Sequence, residues 1–297
     1  MIEYPDDDVI GKGSRRHAIP ETVLVRDLVR VVEVMNLERQ GFFGKESVLA
    51  GSMALRCFKS PRFTVYDADF STTENAARRP EEMRRMLAYE DDDLVIAPDP
   101  LTPHDAHGTA WKSEPIRFDP VFTSLVPNRD DRSFKADISF RGLVCEGIEC
   151  ELLVPYEMGL WSRPPTVWIM NPHEVVAEKV LGWCVNRLVK HYADLAFIGV
   201  ASNPSGRPRL IELDGMKLRE ALANKLEAMR GLQPARYAAF GSVDDLVDDL
   251  DRAANLNQAQ WQAIVYLREH RDRFKPDLLE GAVREILVPM LRAPGRA

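Results

Sequence analysis

Residues 48–70 read VLAGSMALRCFKSPRFTVYDADF. Val48-Leu49-Ala50 is a short apolar element, Gly51-Ser52 a turn, and Met53-Ala54-Leu55-Arg56 the opening of a helix. The run from Arg62 to Phe70, rich in β-branched and aromatic residues, predicts a strand that ends in Asp67-Ala68-Asp69. Alternate strand residues point the same way, so both carboxylates project from one face. Like charges placed that close repel unless something neutralises them. Magnesium is the natural partner, since it favours a few carboxylates together with substrate phosphates. Upstream, a Gly-Ser turn at a helix start offers backbone N–H groups, a hydroxyl and the positive end of a dipole to a phosphate. Taken singly, the acid pair is also the pattern of two solvated carboxylates, and the turn that of an ordinary cap. The rest of the chain has to decide.

Working outward, Pro20 to Arg39 carries Val23, Leu24, Leu28, Val31, Val32 and Met35 at helical spacing, with charges between them. Residues 80–90 also read as helix. Residues 98–130, rich in Pro, Asp and His, predict loops and short strands. From Phe134 to Phe140 apolar residues alternate with Lys135, Asp137 and Ser139, the pattern of a half-buried strand. Asp137 is thus a third acid on a polar strand face. Three carboxylates on neighbouring strands beside a phosphate-holding turn would form a two-metal phosphoryl-transfer centre. Val144 to Val154 reads as a further strand.

After Pro165 the character changes. Asn171-Pro172-His173-Glu174 is a helix start: Asn as N-cap, Pro at the first helical position, Glu completing a capping box. Helical periodicity runs on to about Val189, and resumes over 215–230, 242–254, 257–272 and 276–292. The expectation is an α+β fold: an N-terminal domain, residues 1–165, with a mixed sheet flanked by helices, and an all-helical C-terminal domain, residues 166–297.

Composition narrows the function. The chain has 297 residues, 45% hydrophobic and 29% charged, which fits folded domains rather than disorder. No apolar run approaches the roughly 20 residues that span a bilayer, and MIEYPDDD has no secretory pattern. Four cysteines without a CxxC pair fit a reducing cytoplasm and no zinc or disulfide framework. The net charge of -7 argues against a general nucleic-acid binder. Residues 1–160 hold 20 basic and 29 acidic side chains, so the acidity belongs to the first half. His104-x-x-His107 with Asp105 lacks a third ligand for zinc, and Ser52 lacks the GxSxG setting of a hydrolase nucleophile.

The order Gly51-Ser52-x-x-x-Arg56, then Arg62-x-Thr64-x-x-Asp67-x-Asp69-Phe70, resembles the DNA polymerase β-like nucleotidyltransferase superfamily. It looks closest to the AbiEii-type toxins, which include the mycobacterial MenT toxins. Glu178-Lys179 in the capped helix and Arg187-x-x-Lys190-His191-x-x-Asp194-Leu195 are similar to the later motifs of that family. The resemblance spans about Val48 to Ile198. It implies that Gly51 and Ser52, with Arg56, Arg187 and Lys190, bind the nucleotide, and that Asp67, Asp69 and Asp137 hold Mg²⁺. It further implies that Lys179 lies near the triphosphate, and that Asp194 orients that lysine or contacts substrate. The family usually has Asp directly after the lysine of its last motif; here that position is His191.

What the resemblance implies about activity is a Mg²⁺-dependent toxin moving a nucleotide from an NTP to the 3′ end of tRNA, which blocks aminoacylation. A cognate antitoxin would restrain it. Arg78, Arg79, Arg84 and Arg85, or Lys12, Arg15 and Arg16, could form the local cationic patch that an acceptor stem needs. Two other readings remain open at this point: transfer to a small molecule or protein, as in the similarly patterned aminoglycoside nucleotidyltransferases, and a catalytically silent nucleotide-binding module.

Overall fold

A computed structural model describes residues 7–60, 62, 67–73, 76, 78, 80–91, 94–98, 102–105, 108–118, 134–139, 143–152, 165–203, 210–252 and 276–292. The N-terminal helices are α1 (Asp7–His17) and α2 (Glu21–Arg39). Strand β1 (Ser47–Leu49) leads into the short helix α3 (Gly51–Ala54) and a 3-10 turn, Leu55–Phe58. Then follow β2 (Asp67–Thr72), α4 (Pro80–Leu87), β3 (Tyr89–Glu90), β4 (Leu94–Pro98), β5 (Thr102–Asp105), β6 (Gly108–Phe118), β7 (Phe134–Ser139), β8 (Ile148–Glu151) and β9 (Thr166–Ile169). The later helices are α5 (Pro172–Asn186), α6 (Val189–Ser202), α7 (Gly215–Leu232), α8 (Pro234–Tyr237), α9 (Val243–Asp251), α10 (Pro276–Ala282) and α11 (Val288–Arg292), the last two joined by a π turn, Val283–Leu287. The expected helix over 257–272 lies outside the described residues.

The strands form one mixed sheet in the order β3-β4-β6-β7-β2-β1-β9-β8, with β5 attached to β6. Strand β2 runs parallel to β7 and antiparallel to β1, and β1 runs parallel to β9. The α+β class, with a mixed sheet, flanking helices and a helix-rich second half, is as the sequence predicts. Strand β9 begins at Thr166, one residue beyond the expected domain boundary, and pairs with β1 and β8. The helical part therefore starts at Pro172. Val48, Ala50 and Leu55 pack into the same apolar cluster as α5 and α6, so the core runs continuously from the sheet into the helices.

Local sequence explains some element boundaries and not others. The Asn171 side chain accepts from the His173 N–H at 3.1 Å, with Pro172 at the first helical position, as the sequence predicts. The capping box does not form. The Glu174 carboxylate instead accepts from the backbone N–H groups of Val144 and Cys145 and pairs with Lys225 at 2.6 Å. Helix α5 stops short of the predicted Val189: Arg187 turns left-handed, φ 54°, with its guanidinium on Asp249 at 2.6 Å and 5.5 Å from the centre of the Trp183 ring. Helix α2 buries three of its charged residues as well as its apolar face: Asp27, Arg30 and Glu33. Asp27 can be buried because Arg56 reaches it with two hydrogen bonds.

Candidate active site

Strand β1 delivers the chain to Ala50, whose N–H donates to the Asp69 carbonyl at 2.8 Å. Gly51 then adopts φ +62°, a left-handed conformation that side chains disfavour. A Cβ on Gly51 would also lie 1.9 Å from Asp69 Oδ2. Glycine is thus required twice, once by its backbone angle and once by the carboxylate against its Cα. On β2, Ala68 and Phe70 are buried in the core while Asp69 is half-buried on the other face. The parallel register sets Asp69 opposite Asp137 and Asp67 opposite Lys135. Adjoining strands therefore bring the three predicted acids together in the sheet. The side chains of Asp67 and Asp137 lie outside the described set, and among the described residues no group of three or more ligating side chains stands ready-made. The donor set, acids beside a glycine cleared of its Cβ, fits a hard, oxygen-seeking cation such as Mg²⁺.

The residue after Gly51 is the centre of a tight polar cluster. Ser52 Oγ donates to Asp194 Oδ2 at 2.8 Å and accepts from Lys179 Nζ at 3.2 Å. Lys179 Nζ also pairs with Asp194 Oδ2 at 2.8 Å, and Arg62 Nε with Asp194 Oδ1 at 2.8 Å. A second guanidinium nitrogen of Arg62 reaches both Ser52 Oγ and Asp194 Oδ2. Helices α5 and α6 supply Lys179 and Asp194, and α3 supplies Ser52. Burial alone would push the Asp194 carboxyl up, but Arg62, Lys179 and the Ser52 hydroxyl outweigh it and hold the carboxyl at about 2. Asp194 is therefore ionised, and two cations meet one anion. The cluster keeps one net positive charge next to the Ser52 hydroxyl and the Gly51 backbone, the setting that a phosphate seeks.

A family model described as the nucleotidyl transferase AbiEii toxin of type IV toxin-antitoxin systems matches residues 37–284. The chain belongs to the AbiEii nucleotidyltransferase toxin family. Among solved structures, the backbone is similar to MenT4, a nucleotidyltransferase toxin of Mycobacterium tuberculosis. The TM-score is 0.62 at 16% identity, over 96% of this chain and 99% of that one. The protein JHP933 of Helicobacter pylori matches at a TM-score of 0.40 and 15% identity, over 91% of this chain and 90% of that one. No curated protein matches. The fold of this AbiEii chain is thus the MenT nucleotidyltransferase fold.

Several residues that the AbiEii motifs single out lie apart from the Ser52 cluster. Arg56 is fully buried, and its guanidinium is taken up by Asp27. That arrangement anchors α3 and its 3-10 turn to α2, rather than presenting a cation to nucleotide. Arg187 caps α5 and faces Asp249. Lys190, half-buried, stands near enough to His191 to act on its charge. Of the cationic clusters, Lys12, Arg15 and Arg16 lie on α1, and Arg84 and Arg85 are exposed on α4. Arg78 pairs with Glu82 at 3.4 Å, and Arg79 lies outside the described residues. Arg62 belongs to the motif without an expected role, because nothing in a strand-like run tells which partner an arginine will find across 132 residues. His191, in the position where the family usually has Asp, packs against Gly182: a Cβ there would lie 3.0 Å from its Nε2. Burial, then the Lys179 charge, drive the His191 imidazole down to about 3, so it is neutral near pH 7. Among the described residues its Nδ1 has no hydrogen-bond partner.

Proposed function

We propose that this toxin moves a nucleoside monophosphate from an NTP to the 3′ end of a tRNA, with Mg²⁺ as cofactor, and so blocks aminoacylation. The observation that carries the reading is the convergence of Lys179, Arg62 and Asp194 on Ser52, next to the Gly51 turn that lies against Asp69. Ser52, Lys179 and Arg62 would bind the β and γ phosphates. To do so they would exchange part of their internal hydrogen bonding for phosphate oxygens. Lys179 has three N–H donors, of which Ser52 and Asp194 take two. Asp194 acts as the positioning residue, since its ionised carboxylate holds both cations against the serine.

Asp69, with Asp67 and Asp137, would hold Mg²⁺, which when bound supplies charge neutralisation at the triphosphate. The acceptor hydroxyl attacks the α-phosphorus; a P–O bond to the acceptor forms as the bond to pyrophosphate breaks. Asp137 is the carboxylate we assign to take the hydroxyl proton. Positioning and electrostatic stabilisation supply most of the acceleration. The cations of α1 and α4 suit the acceptor stem. An antitoxin would restrain the enzyme, in keeping with the family. No helix among the described residues is long and apolar enough to cross a membrane, and we place the reaction in the cytoplasm.

The test incubates purified protein with each α-labelled NTP, Mg²⁺ and total tRNA, beside Asp69→Ala and a chelator control. Label on tRNA that needs both Asp69 and metal is expected. Label on a small molecule or on protein, with none on tRNA, would move the acceptor assignment. NTP binding without transfer to any acceptor would leave a nucleotide-binding module.

A further inference from the structure

Behind the nucleotide turn, two thiols meet. Cys57 lies in the 3-10 turn that continues α3, and Cys150 lies on β8, 93 residues away in sequence. The Cys150 thiol donates to the Cys57 carbonyl at 3.8 Å, and the Cys57 thiol is close enough to act on the charge of Cys150. Cys57 is buried in the apolar cluster beneath the sheet; Cys150 packs against that cluster and is half-buried, within reach of a small solute. Both are free thiols, as are Cys145 and Cys184.

We propose that Cys57 and Cys150 are a redox site that closes to a reversible disulfide when the protein meets a peroxide, with Cys150 as the attacking sulfur. The neighbouring Cys57 thiol lowers Cys150 below an ordinary thiol, which raises its thiolate fraction. The same neighbour, then burial, push the Cys57 thiol up, which keeps it protonated. The other two cysteines are poor competitors, since burial pushes Cys145 up to about 11 and Cys184 higher still.

The chemistry balances in two steps. The Cys150 thiolate attacks a peroxide oxygen: an S–O bond forms, the O–O bond breaks, and the departing hydroxide takes a proton to become water. Cys57 then attacks the Cys150 sulfur, giving its proton to the second departing hydroxide as the S–S bond forms and the S–O bond breaks. Two thiols lose two electrons and two protons, and one peroxide becomes two waters. The disulfide would fasten β8 to the 3-10 turn that continues the helix carrying Ser52. Arg56, next to Cys57, is already fixed to Asp27, so the added bond would stiffen the α3 segment from a second side.

The experiment treats the full chain with hydrogen peroxide at neutral pH, blocks remaining thiols with an alkylating agent, and maps peptides by mass spectrometry without reduction. A linked Cys57–Cys150 peptide is expected, lighter by two hydrogens than the two thiol peptides and lost on adding dithiothreitol, with Cys145 and Cys184 alkylated. In Cys57→Ser, Cys150 should stop at a sulfenic acid that dimedone traps. Linkage through other cysteines, oxidation of Cys150 without linkage in the parent protein, or four unreacted thiols would each overturn the proposal. Hydrogen exchange over residues 51–59 should slow in the oxidised parent and not in peroxide-treated Cys57→Ser. Unchanged exchange in a protein shown to carry the disulfide would overturn its coupling to the turn.

Discussion

Gly51→Ala violates both demands that the site makes on one residue. The new methyl must enter space held by the Asp69 carboxylate, at a left-handed backbone angle. The expected cost is about 1–3 kcal/mol of stability for the backbone alone, with transfer activity lost because Asp69 is displaced; thermal melts and the labelled-NTP assay check both. Asp194→Asn leaves Lys179 and Arg62 facing each other over a buried serine. A loss of about 3–5 kcal/mol is expected, measured by urea unfolding. The Asp194 carboxyl titrates at about 2, against 3.8 ordinarily, so its contribution is complete above pH 3.8 and is lost as pH falls through 2. The Asp194→Asn variant should therefore lack that segment of the acid-unfolding curve. Lys179→Ala should raise KM for NTP about 10-fold or more, the loss of one charge-assisted hydrogen bond, and equilibrium NTP binding should weaken with it.

At the scale of elements, α2 carries the clearest pH signature. Glu33 is buried with neither carboxylate oxygen partnered among the described residues, and burial, opposed by the Arg30 charge, raises it to about 8 from 4.5. The folded state thus binds a proton that the unfolded chain has released. The contribution is full below pH 4.5 and is lost as pH rises through 8. Glu33→Gln should flatten the melting temperature across that window and raise it above the parent's at the alkaline end. Asn171→Ala at the start of α5 should cost about 1 kcal/mol, seen in denaturant midpoints. These elements also show what a sequence can and cannot disclose. The N-cap at Asn171 is legible because it depends on neighbours one and two residues away. Glu174 reads as closing that cap and does not, because its actual partners, Val144, Cys145 and Lys225, lie on other segments. Likewise the sequence of α2 shows charges between its apolar positions but not that Asp27, Arg30 and Glu33 are buried, because their covering layer is invisible from within the helix.

For the whole molecule, the class of fold, the Gly-Ser turn and the acid pair can be read from motif order. The sheet order cannot, since the pairing that sets Asp69 opposite Asp137 depends on a parallel register between distant strands. The same limit hides Arg62, whose role exists only where three chain segments cross. If the acceptor is tRNA, recognition rests on few exposed cations against a net charge of -7. Transfer rates should then fall with added salt, with a slope of only a few log units per decade, and substitution of Arg15 and Arg16 together by Gln should reduce that slope while leaving NTP binding intact.

The Ser52–Asp194 bond joins residues 142 positions apart, and its consequence concerns synthesis. A chain emerging from the ribosome has its turn and acids early, but it has no Asp194 until about two thirds of the 297 residues have been made. Until then Lys179 and Arg62 have no anion to draw them onto the serine. If the cluster holds the triphosphate as proposed, a nascent chain that ends before Asp194 would lack transfer activity, and activity would arise only once translation has passed the last contributor to the cluster.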